Sequence, residues 1–209
     1  MYKKYDSILF DLDGTLWDAR ETYAKAWNDV LNSLNINRTI TIELLSETMG
    51  LESEKALEKL IPEVPKKLRI EVYHKVTSRI NVLIPIIGGK MYSEVNTVIP
   101  LLSEKYKLLL VSNCPKGLIE NFLEWAKLEA YFLDKICYGD NYYPKSKNIR
   151  ILIEKHKLLS PIYIGDTDSD SQQCELINIP FGFIKYGFGN TKHYTHKFSD
   201  FSELFYFFR

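Results

Sequence analysis

Residues 8–16 read ILFDLDGTL, and this segment decides the fold class. Its first three residues are apolar, which is typical of a short buried strand. Side chains two positions apart on a strand share a face, so Asp11 and Asp13 leave the strand's carboxyl end together. Gly14 then lets the backbone turn at once. Two adjacent carboxylates repel each other unless a cation or a shared proton relieves them, so the segment predicts a Mg²⁺ site.

A calcium-binding helix-loop-helix is the alternative explanation of this motif. Such a loop continues with oxygen ligands and carries an acid about twelve positions in. Counted from Asp11, the ligand-spaced positions hold Trp17, Ala19 and Thr22, so the required acid is missing. The calcium alternative is therefore rejected.

The composition is that of an ordinary globular protein. The 209 residues are 45% hydrophobic and 26% charged, which predicts one domain with a smaller insert. The 27 Lys and Arg balance the 27 Asp and Glu, so no basic field attracts nucleic acid. No apolar run approaches the ~20 residues of a membrane helix, and the polar first residues do not suit a signal peptide. Three widely spaced cysteines favour a reducing compartment, so we expect a cytoplasmic protein. From the charge balance and the short apolar runs we expect no nucleic-acid or membrane partners.

Short apolar runs bounded by turn residues recur along the chain and predict strands that are buried on both faces. They are residues 8–10, 108–111, 162–164 and 181–184. Helical patterns at residues 117–128 and 148–158 lie between the later runs. This alternation predicts an α/β fold, a doubly wound, Rossmann-like parallel sheet, with its site at the carboxyl ends of the strands.

Residues 17–84 break the alternation with about three helical stripes and no clear strand. We therefore predict a small helical cap domain at 17–84, inserted into an α/β core domain of residues 1–16 and 85–209. The return to the core is expected at residues 84–89, which contain Pro85, Gly88 and Gly89.

Three further segments place polar residues after predicted strands or before a helix. Ser112 and Asn113 follow the second run, where a hydroxyl and backbone amides can bind phosphoryl oxygens. Asp166, Asp168 and Asp170 follow the third run, and three acids in this spacing favour a cation site. Lys145 precedes a predicted helix and can supply a fixed positive charge.

In this order the four motifs resemble those of the haloacid dehalogenase-like superfamily, chiefly its phosphoglycolate phosphatase-like branch with an α-helical cap inserted after the first motif. The resemblance covers nearly the whole chain and includes the tail at residues 179–189. It implies a Mg²⁺-dependent phosphatase that hydrolyses a small phosphate monoester through an aspartyl-phosphate. Ordinary chemistry is consistent with it, because a carboxylate that attacks a phosphate dianion needs nearby positive charge.

The resemblance also implies roles for individual residues. Asp11 is the expected nucleophile, Asp13 the general acid and base, and Lys145 the neutralising cation. The expected substrate-binding residues are Ser112, Asn113 and Thr15, and the expected metal ligands are Asp11, Asp13, Asp166 and Asp170.

The third motif departs from the family pattern, because Pro144 precedes the lysine instead of following it. Lys147 is therefore a rival to Lys145. We favour Lys145 because it stands ahead of the helix, whereas Lys147 is expected in the first helical turn, facing solvent. Cys114 stands beside Asn113, but a catalytic thiol is disfavoured because no histidine is near it in the sequence.

Other reactions of the superfamily stay open to different degrees. The presence of Asp13 disfavours carbon–halogen cleavage, and Thr15 mildly disfavours a sugar-phosphate mutase. A non-catalytic relative that binds a phosphorylated ligand or a partner protein is the third alternative.

The expected partner is a small phosphorylated metabolite, and phosphoglycolate, sugar phosphates, nucleoside monophosphates and pyrophosphate are the candidates. Cations of the cap such as Lys25 and Arg79 are candidates for a second anionic group of the substrate. The aromatic segment at 201–208 predicts a terminal helix packed on the sheet, or else a dimer or partner surface. We expect a monomer or a homodimer.

Overall fold

A computed structural model describes residues 4–49, 51 and 53–209. The first three residues of the predicted core, and positions 50 and 52 of the predicted cap, lie outside the described residues. The chain divides into two compact units, which are Met1–Asp18 with Lys90–Arg209 and, separately, Ala19–Gly89.

The described residues form eight strands, ten α-helices and a short 3₁₀ turn at Glu129–Tyr131. The strands are β1 (Ser7–Phe10), β2 (Trp17–Asp18), β3 (Lys90–Met91), β4 (Lys107–Ser112), β5 (Asp134–Cys137), β6 (Pro161–Gly165), β7 (Phe181–Ile184) and β8 (His196–Phe198). The helices are α1 (Arg20–Ser33), α2 (Ile42–Ser46), α3 (Ser53–Leu60), α4 (Lys66–Ile87), α5 (Val95–Ser103), α6 (Leu118–Ala126), α7 (Tyr138–Asn141), α8 (Lys145–His156), α9 (Asp168–Glu175) and α10 (Phe201–Phe208).

Six strands of the first unit form one sheet in the order β5-β4-β1-β6-β7-β8, and all neighbouring strands are parallel. The predicted Rossmann-like fold class is thereby confirmed. The four predicted apolar runs are β1, β4, β6 and β7, whereas β5 and β8 were not predicted. The chain leaves β1 toward β4 on one side and later returns to β6 on the other. Such a reversal opens a crevice at the carboxyl ends of the strands.

The sheet has helices on both faces. On one face, Leu9, Val111 and Tyr163 from the three central strands pack with Ile149 of α8 and Cys174 of α9 in one buried cluster. On the other face the ring of Phe10 in β1 stacks on Phe201 of α10, with the ring centroids 6.1 Å apart. Both faces are therefore covered, which explains why the central strands are continuously apolar.

The aromatic C-terminal segment forms α10, as predicted. Phe201, Leu204 and Phe208 are buried, and the hydroxyl of Tyr106 donates a hydrogen bond to the carbonyl of Phe208 at 2.9 Å. The side chain of Asp200 accepts from the amide of Glu203 at 2.8 Å and caps the first turn of the helix. The segment is therefore part of the hydrophobic core of the first unit.

Two short strands carry the chain out of the first unit and back into it. β2 pairs with β3 in an antiparallel ribbon, with Trp17 opposite Met91 and Asp18 opposite Lys90. The ring of Trp17 contacts Phe122 of α6, with the centroids 4.8 Å apart, and this contact anchors the ribbon in the first unit.

The second unit is helical in its described part. α1 and α4 pack together through apolar side chains, and the side chain of Asn28 exchanges two hydrogen bonds with the backbone of Ile40, at 2.8 and 2.9 Å. α4 runs to Ile87, so the return expected at residues 84–89 begins inside a helix, and the unit ends at Gly89. Pro85 does not stop this helix. None of the described helices combines the length and the apolar character that crossing a bilayer requires.

We expect Leu109→Ala to lower the free energy of unfolding by about 3 kcal/mol, because it opens a cavity in the centre of the sheet. Leu109 is fully buried in β4, whereas Leu159 is 89% exposed and serves as the matched control. Leu159→Ala should change stability by less than about 0.5 kcal/mol. Urea denaturation followed by circular dichroism measures both, and equal effects would contradict the placement of β4 in the core.

Candidate active site

Asp11 is the first residue after β1, at the centre of the sheet's carboxyl edge. Its amide donates to the carbonyl of Ile164 at 2.8 Å, which continues the pairing with β6 by one residue. Its Oδ1 accepts from the amide of Leu12 at 2.7 Å, and its Oδ2 accepts from Lys145 at 2.8 Å. The carboxylate is thus held by two donors and is largely buried.

Lys145 is the first residue of α8, and its side chain is buried among carboxylates. Its Nζ donates to Asp11 Oδ2 at 2.8 Å and to Asp170 Oδ1 at 2.5 Å. Lys147 is exposed instead, with its Nζ 3.3 Å from the centroid of the Tyr143 ring. The structure therefore brings Lys145, and not Lys147, to the carboxylates.

Asp170 is oriented by the start of α9. Its Oδ2 accepts from the amide and the hydroxyl of Thr167, at 3.0 and 2.7 Å, while the Thr167 hydroxyl accepts from the amide of Asp170 at 3.1 Å. This is a capping box, in which two backbone amides of the first turn are satisfied reciprocally. The other oxygen of Asp170 is left to bind Lys145.

Asp166 is fully buried at the end of β6. Its Oδ2 accepts from the amide of Phe188 at 2.7 Å, whereas its Oδ1 has no hydrogen-bond partner in the described part of the chain. Gly14, with a φ of 81°, and Gly187 both lie so close to this carboxylate that a β-carbon at either position would collide with it. Two glycines therefore make the space that Asp166 occupies.

The carboxylates of Asp11, Asp166 and Asp170 each offer an oxygen, and these atoms lie within 4.8 Å of one another. The lone Oδ1 of Asp166 is an oxygen for which a cation would be the natural partner, since a buried polar atom without one is costly. Hard divalent cations such as Mg²⁺ prefer carboxylate oxygens. The residues present therefore fit a divalent metal ion, which three carboxylates could hold.

The electrostatics of the cluster are those of crowded anions. Burial raises the pKa of Asp11 to about 6, although the charge of Lys145 opposes that rise. Burial, followed by the charges of Asp170 and Asp11, raises the pKa of Asp166 well above its ordinary range. Burial alone would lower the pKa of Lys145, but its two carboxylate partners outweigh burial and raise it, so the lysine stays charged.

The remaining predicted residues lie at or near the same edge. Asp13 is half-buried in the turn after Asp11. Ser112 is buried at the end of β4, and the half-buried Asn113 follows it. Thr15 is fully buried, its carbonyl accepts from the hydroxyl of Tyr186 at 2.7 Å, and its own hydroxyl has no partner among the described residues. The observed contacts of Thr15 hold the turn of the first motif.

Cys114 is buried beyond Asn113, and its environment disfavours a nucleophilic thiol. Burial raises its pKa well above the ordinary value, and the neighbouring thiol of Cys137 and the charge of Asp13 add to the rise. A thiol is a nucleophile mainly as its thiolate, so Cys114 stays in the unreactive form at neutral pH.

Sequence reasoning grouped Asp168 with the other acids after β6 and did not single out Tyr163. Asp168 turns away from the cluster and accepts from Thr191 at 2.6 Å and from Gln172 at 2.8 Å. Tyr163 lies beneath Lys145, with the Nζ 5.4 Å from its ring centroid. In the sequence, Tyr163 looks like any apolar residue of a buried strand, and only the tertiary contact reveals its position.

Two cations of the helical unit that were candidates for substrate binding pair with a carboxylate of that unit. Arg79 donates to Asp29 Oδ2 at 2.7 and 2.9 Å, and Lys25 donates to Asp29 Oδ1 at 3.3 Å. Arg20 donates to the hydroxyl of Ser46 at 2.6 Å. Asp29 thus already neutralises part of the positive charge of α1 and α4.

A protein-family model described as haloacid dehalogenase-like hydrolase matches residues 8–184, which is most of the chain. The chain belongs to the haloacid dehalogenase-like hydrolase family. The matched range includes the carboxylate cluster, Lys145 and, apart from Ser7 of β1, all strands of the sheet except β8.

Relatives within this family indicate the kind of enzyme. The phosphoglycolate phosphatase of Aquifex aeolicus is 30% identical over 171 residues, which cover 78% of this chain and 76% of the relative. The phosphoglycolate phosphatase of Aliivibrio fischeri is 25% identical over 202 residues, covering 91% and 88%. A haloacid dehalogenase-like family protein from Streptococcus pneumoniae has the same fold, with a TM-score of 0.85 at 18% identity and 99% coverage of both chains. The chain is therefore an enzyme of the family's phosphatase type.

The carboxylate cluster predicts an unusual pH dependence of stability in EDTA. Asp11 and Asp166 have higher pKa values in the folded chain than their ordinary 3.8, so folding favours their protonated forms. The contribution of Asp11 is complete below about pH 4 and is lost as the pH rises through about 6. Asp166, whose pKa is also raised, contributes in the same direction. We expect the midpoint of thermal unfolding in EDTA to fall between about pH 5 and pH 8.

Asp166→Asn should reduce this fall of the unfolding midpoint with pH, because it removes one buried charge. We expect its midpoint at pH 8 to lie a few degrees above that of the wild type, which corresponds to about 1 kcal/mol. Asp168→Asn is the matched control, since Asp168 lies on the first turn of α9 away from the cluster. Differential scanning calorimetry measures both variants. An identical pH profile for wild type and Asp166→Asn would contradict the repulsion.

Proposed function

We propose that this enzyme hydrolyses a small phosphate monoester through an aspartyl-phosphate on Asp11, with Mg²⁺ as its cofactor. The observation that carries the proposal is the cluster at the carboxyl edge of the sheet. There a buried lysine binds Asp11 at 2.8 Å, and two more buried acids lie within reach of the same carboxylate. An acid held in this way is fixed in position and charged beside a cation, as a nucleophile for phosphorus must be.

In the first step, an oxygen of Asp11 attacks phosphorus and the bond from phosphorus to the leaving oxygen breaks. Asp13, two residues further on, donates a proton to that leaving oxygen. In the second step, water attacks the phosphorus of the aspartyl-phosphate while Asp13 takes its proton, and Asp11 is released with inorganic phosphate. One acid can serve both steps because donating the first proton leaves it ready to accept the second.

The end of β4 and the ammonium of Lys145 would hold the transferring phosphoryl group. Ser112 ends β4, the neighbour of β1, and Asn113 follows it, so the Ser112 hydroxyl and the Asn113 backbone lie beside the nucleophile's strand. Lys145 is charged in the free enzyme, because both Asp11 and Asp170 raise its pKa. A fixed cation stabilises the charge that develops on the phosphoryl oxygens.

Asp11, Asp166 and Asp170 would hold the metal ion, and the family resemblance adds the backbone carbonyl of Asp13. When bound, Mg²⁺ supplies positive charge that offsets the repulsion between the phosphoryl group and the carboxylates. Besides its place in the metal site, Asp170 would set the position of Lys145 with one oxygen, while its other oxygen is held by the cap of α9.

The substrate proposed first is phosphoglycolate, because curated relatives that align over most of this chain bear that name. Sugar phosphates, nucleoside monophosphates and pyrophosphate belong in the same panel. The pairing of Arg79 and Lys25 with Asp29 favours other groups for recognition of a second anion.

Asp11→Asn should abolish phosphate release from para-nitrophenyl phosphate, with a loss of about a thousand-fold or more in kcat, because the amide is a poor nucleophile. EDTA should abolish turnover by the wild type, and added Mg²⁺ should restore it. Colorimetric assays measure both effects. Metal-dependent turnover that persists in Asp11→Asn would contradict the aspartyl-phosphate.

Lys145→Met should lower kcat at least about a hundred-fold, because it removes the charge that stabilises the transferring phosphoryl group. Lys147→Met is the matched control, two positions away on the same helix and exposed, and should keep near wild-type activity. Circular dichroism checks that both variants fold. Equal losses in the two variants would argue against the role given to Lys145.

A panel of phosphorylated metabolites at saturating Mg²⁺ then tests the substrate. A kcat/KM for phosphoglycolate at least about ten-fold above the other monoesters supports the proposal. Slow hydrolysis of every monoester, together with conversion of a sugar phosphate in the presence of its bisphosphate, would indicate a mutase instead.

A further inference from the structure

Tyr163 is a fully buried tyrosine of β6 that makes two different polar contacts. The face of its ring lies under the ammonium of Lys145, with the Nζ 5.4 Å from the centroid. Its hydroxyl donates to the carbonyl of Val111 at 2.8 Å. One side chain thus contacts both the lysine of the cluster and the strand that ends in Ser112.

The register of the sheet explains why the second contact exists. β4 pairs with β1 only as far as Leu110, opposite Phe10, so Val111 and Ser112 extend past the end of β1. Tyr163 lies on the far side of β1, opposite Leu9, and its side chain spans β1 to reach β4. β5 pairs with this part of β4 on one side, and the Tyr163 hydroxyl supplies a bond on the other side, which β1 no longer pairs with.

Packing leaves Tyr163 little freedom. Its ring stacks on Phe181 of β7, with the centroids 6.5 Å apart and an angle of 22° between the planes. On the strand, Gly165 lies so near that a β-carbon there would stand 3.0 Å from the tyrosine ring. Burial raises the pKa of the hydroxyl well above its ordinary value, so it remains a hydrogen-bond donor at all working pH values.

We propose that Tyr163 is a positioning residue, which fixes the ammonium of Lys145 and the Ser112 end of β4 relative to each other. This inference rests on the proposed function, in which these two groups hold the same phosphoryl group. A ring below an ammonium attracts it by cation–π interaction, most strongly where water is excluded. A buried hydroxyl in an apolar cluster is stabilising only when it is bonded, and here the bond is to Val111.

Two variants separate the two contacts. Tyr163→Phe removes the hydroxyl and keeps the ring, so it should raise KM for para-nitrophenyl phosphate and the inhibition constant of inorganic phosphate about five-fold, with little change in kcat. Tyr163→Leu also removes the ring below Lys145, and it should lower kcat about ten-fold. Phe198→Leu is the control, because it deletes a buried ring of β8, two strands away in the same sheet.

A second measurement follows Lys145 without any need for turnover. Native-state acetylation with peptide mass spectrometry should modify Lys145 about ten-fold faster in Tyr163→Leu than in wild type or Phe198→Leu. The exposed Lys147, read from the same peptide region, is the internal reference and should react at one rate in every variant.

The kinetics and the acetylation rates together test whether Tyr163 is a positioning residue. The proposal is supported if Tyr163→Phe changes KM, Tyr163→Leu changes kcat, and Lys145 is acetylated faster only in Tyr163→Leu. Kinetics and acetylation rates of Tyr163→Leu that match those of Phe198→Leu would overturn it and leave Tyr163 a packing residue. Absence of turnover in the wild type would count against the proposed function alone, because the acetylation rates still test the positioning of Lys145.

Discussion

The balance of charge around one buried ammonium is the constraint on which the site depends. Lys145 binds two carboxylates, and a third, Asp166, lies within the same cluster. One positive charge cannot neutralise three negative ones, and buried charges without partners are strongly unfavourable. Burial raises the pKa values of Asp11 and Asp166, and the neighbouring carboxylates add to the rise. The excess of negative charge is the basis of the affinity for a divalent cation that we propose. Binding such a cation would remove the repulsion that the folded chain otherwise carries.

The topology of the sheet makes this crowding possible. Because β1 lies between β4 and β6, residues far apart in the sequence meet at one edge, and α8 begins there with Lys145. The lysine occupies the first turn of its helix, where the helix dipole disfavours a cation. Its two carboxylates outweigh that effect. The interaction is therefore a feature of the tertiary structure, which neither the helix nor the strand would favour alone.

Most of the fold was predictable because each of its central strands is a short run of apolar residues, which can be recognised from the local sequence. The strands β5 and β8 were missed since DKIC and HKF are short and partly polar, and their pairing is decided by the neighbours they meet at each end of the sheet. The motif residues were predictable as a group, but the choice between Lys145 and Lys147 depended on which side of α8 faces the core. Tyr163 could not be found from its sequence neighbours, since an apolar strand residue and a positioning residue look the same there.

The narrow ribbon of β2 and β3 has a consequence for how this chain can vary. It holds the residues that flank 19–89 side by side, with Asp18 opposite Lys90, so this segment of the chain forms one closed loop. The entropy of closing a loop grows only with the logarithm of its length, and a doubling costs about 0.6 kcal/mol. Evolution can therefore lengthen, shorten or replace the helical unit while the register of β1, β4 and β6 stays the same. The carboxylates that would perform the chemistry need not change when that segment of the chain does.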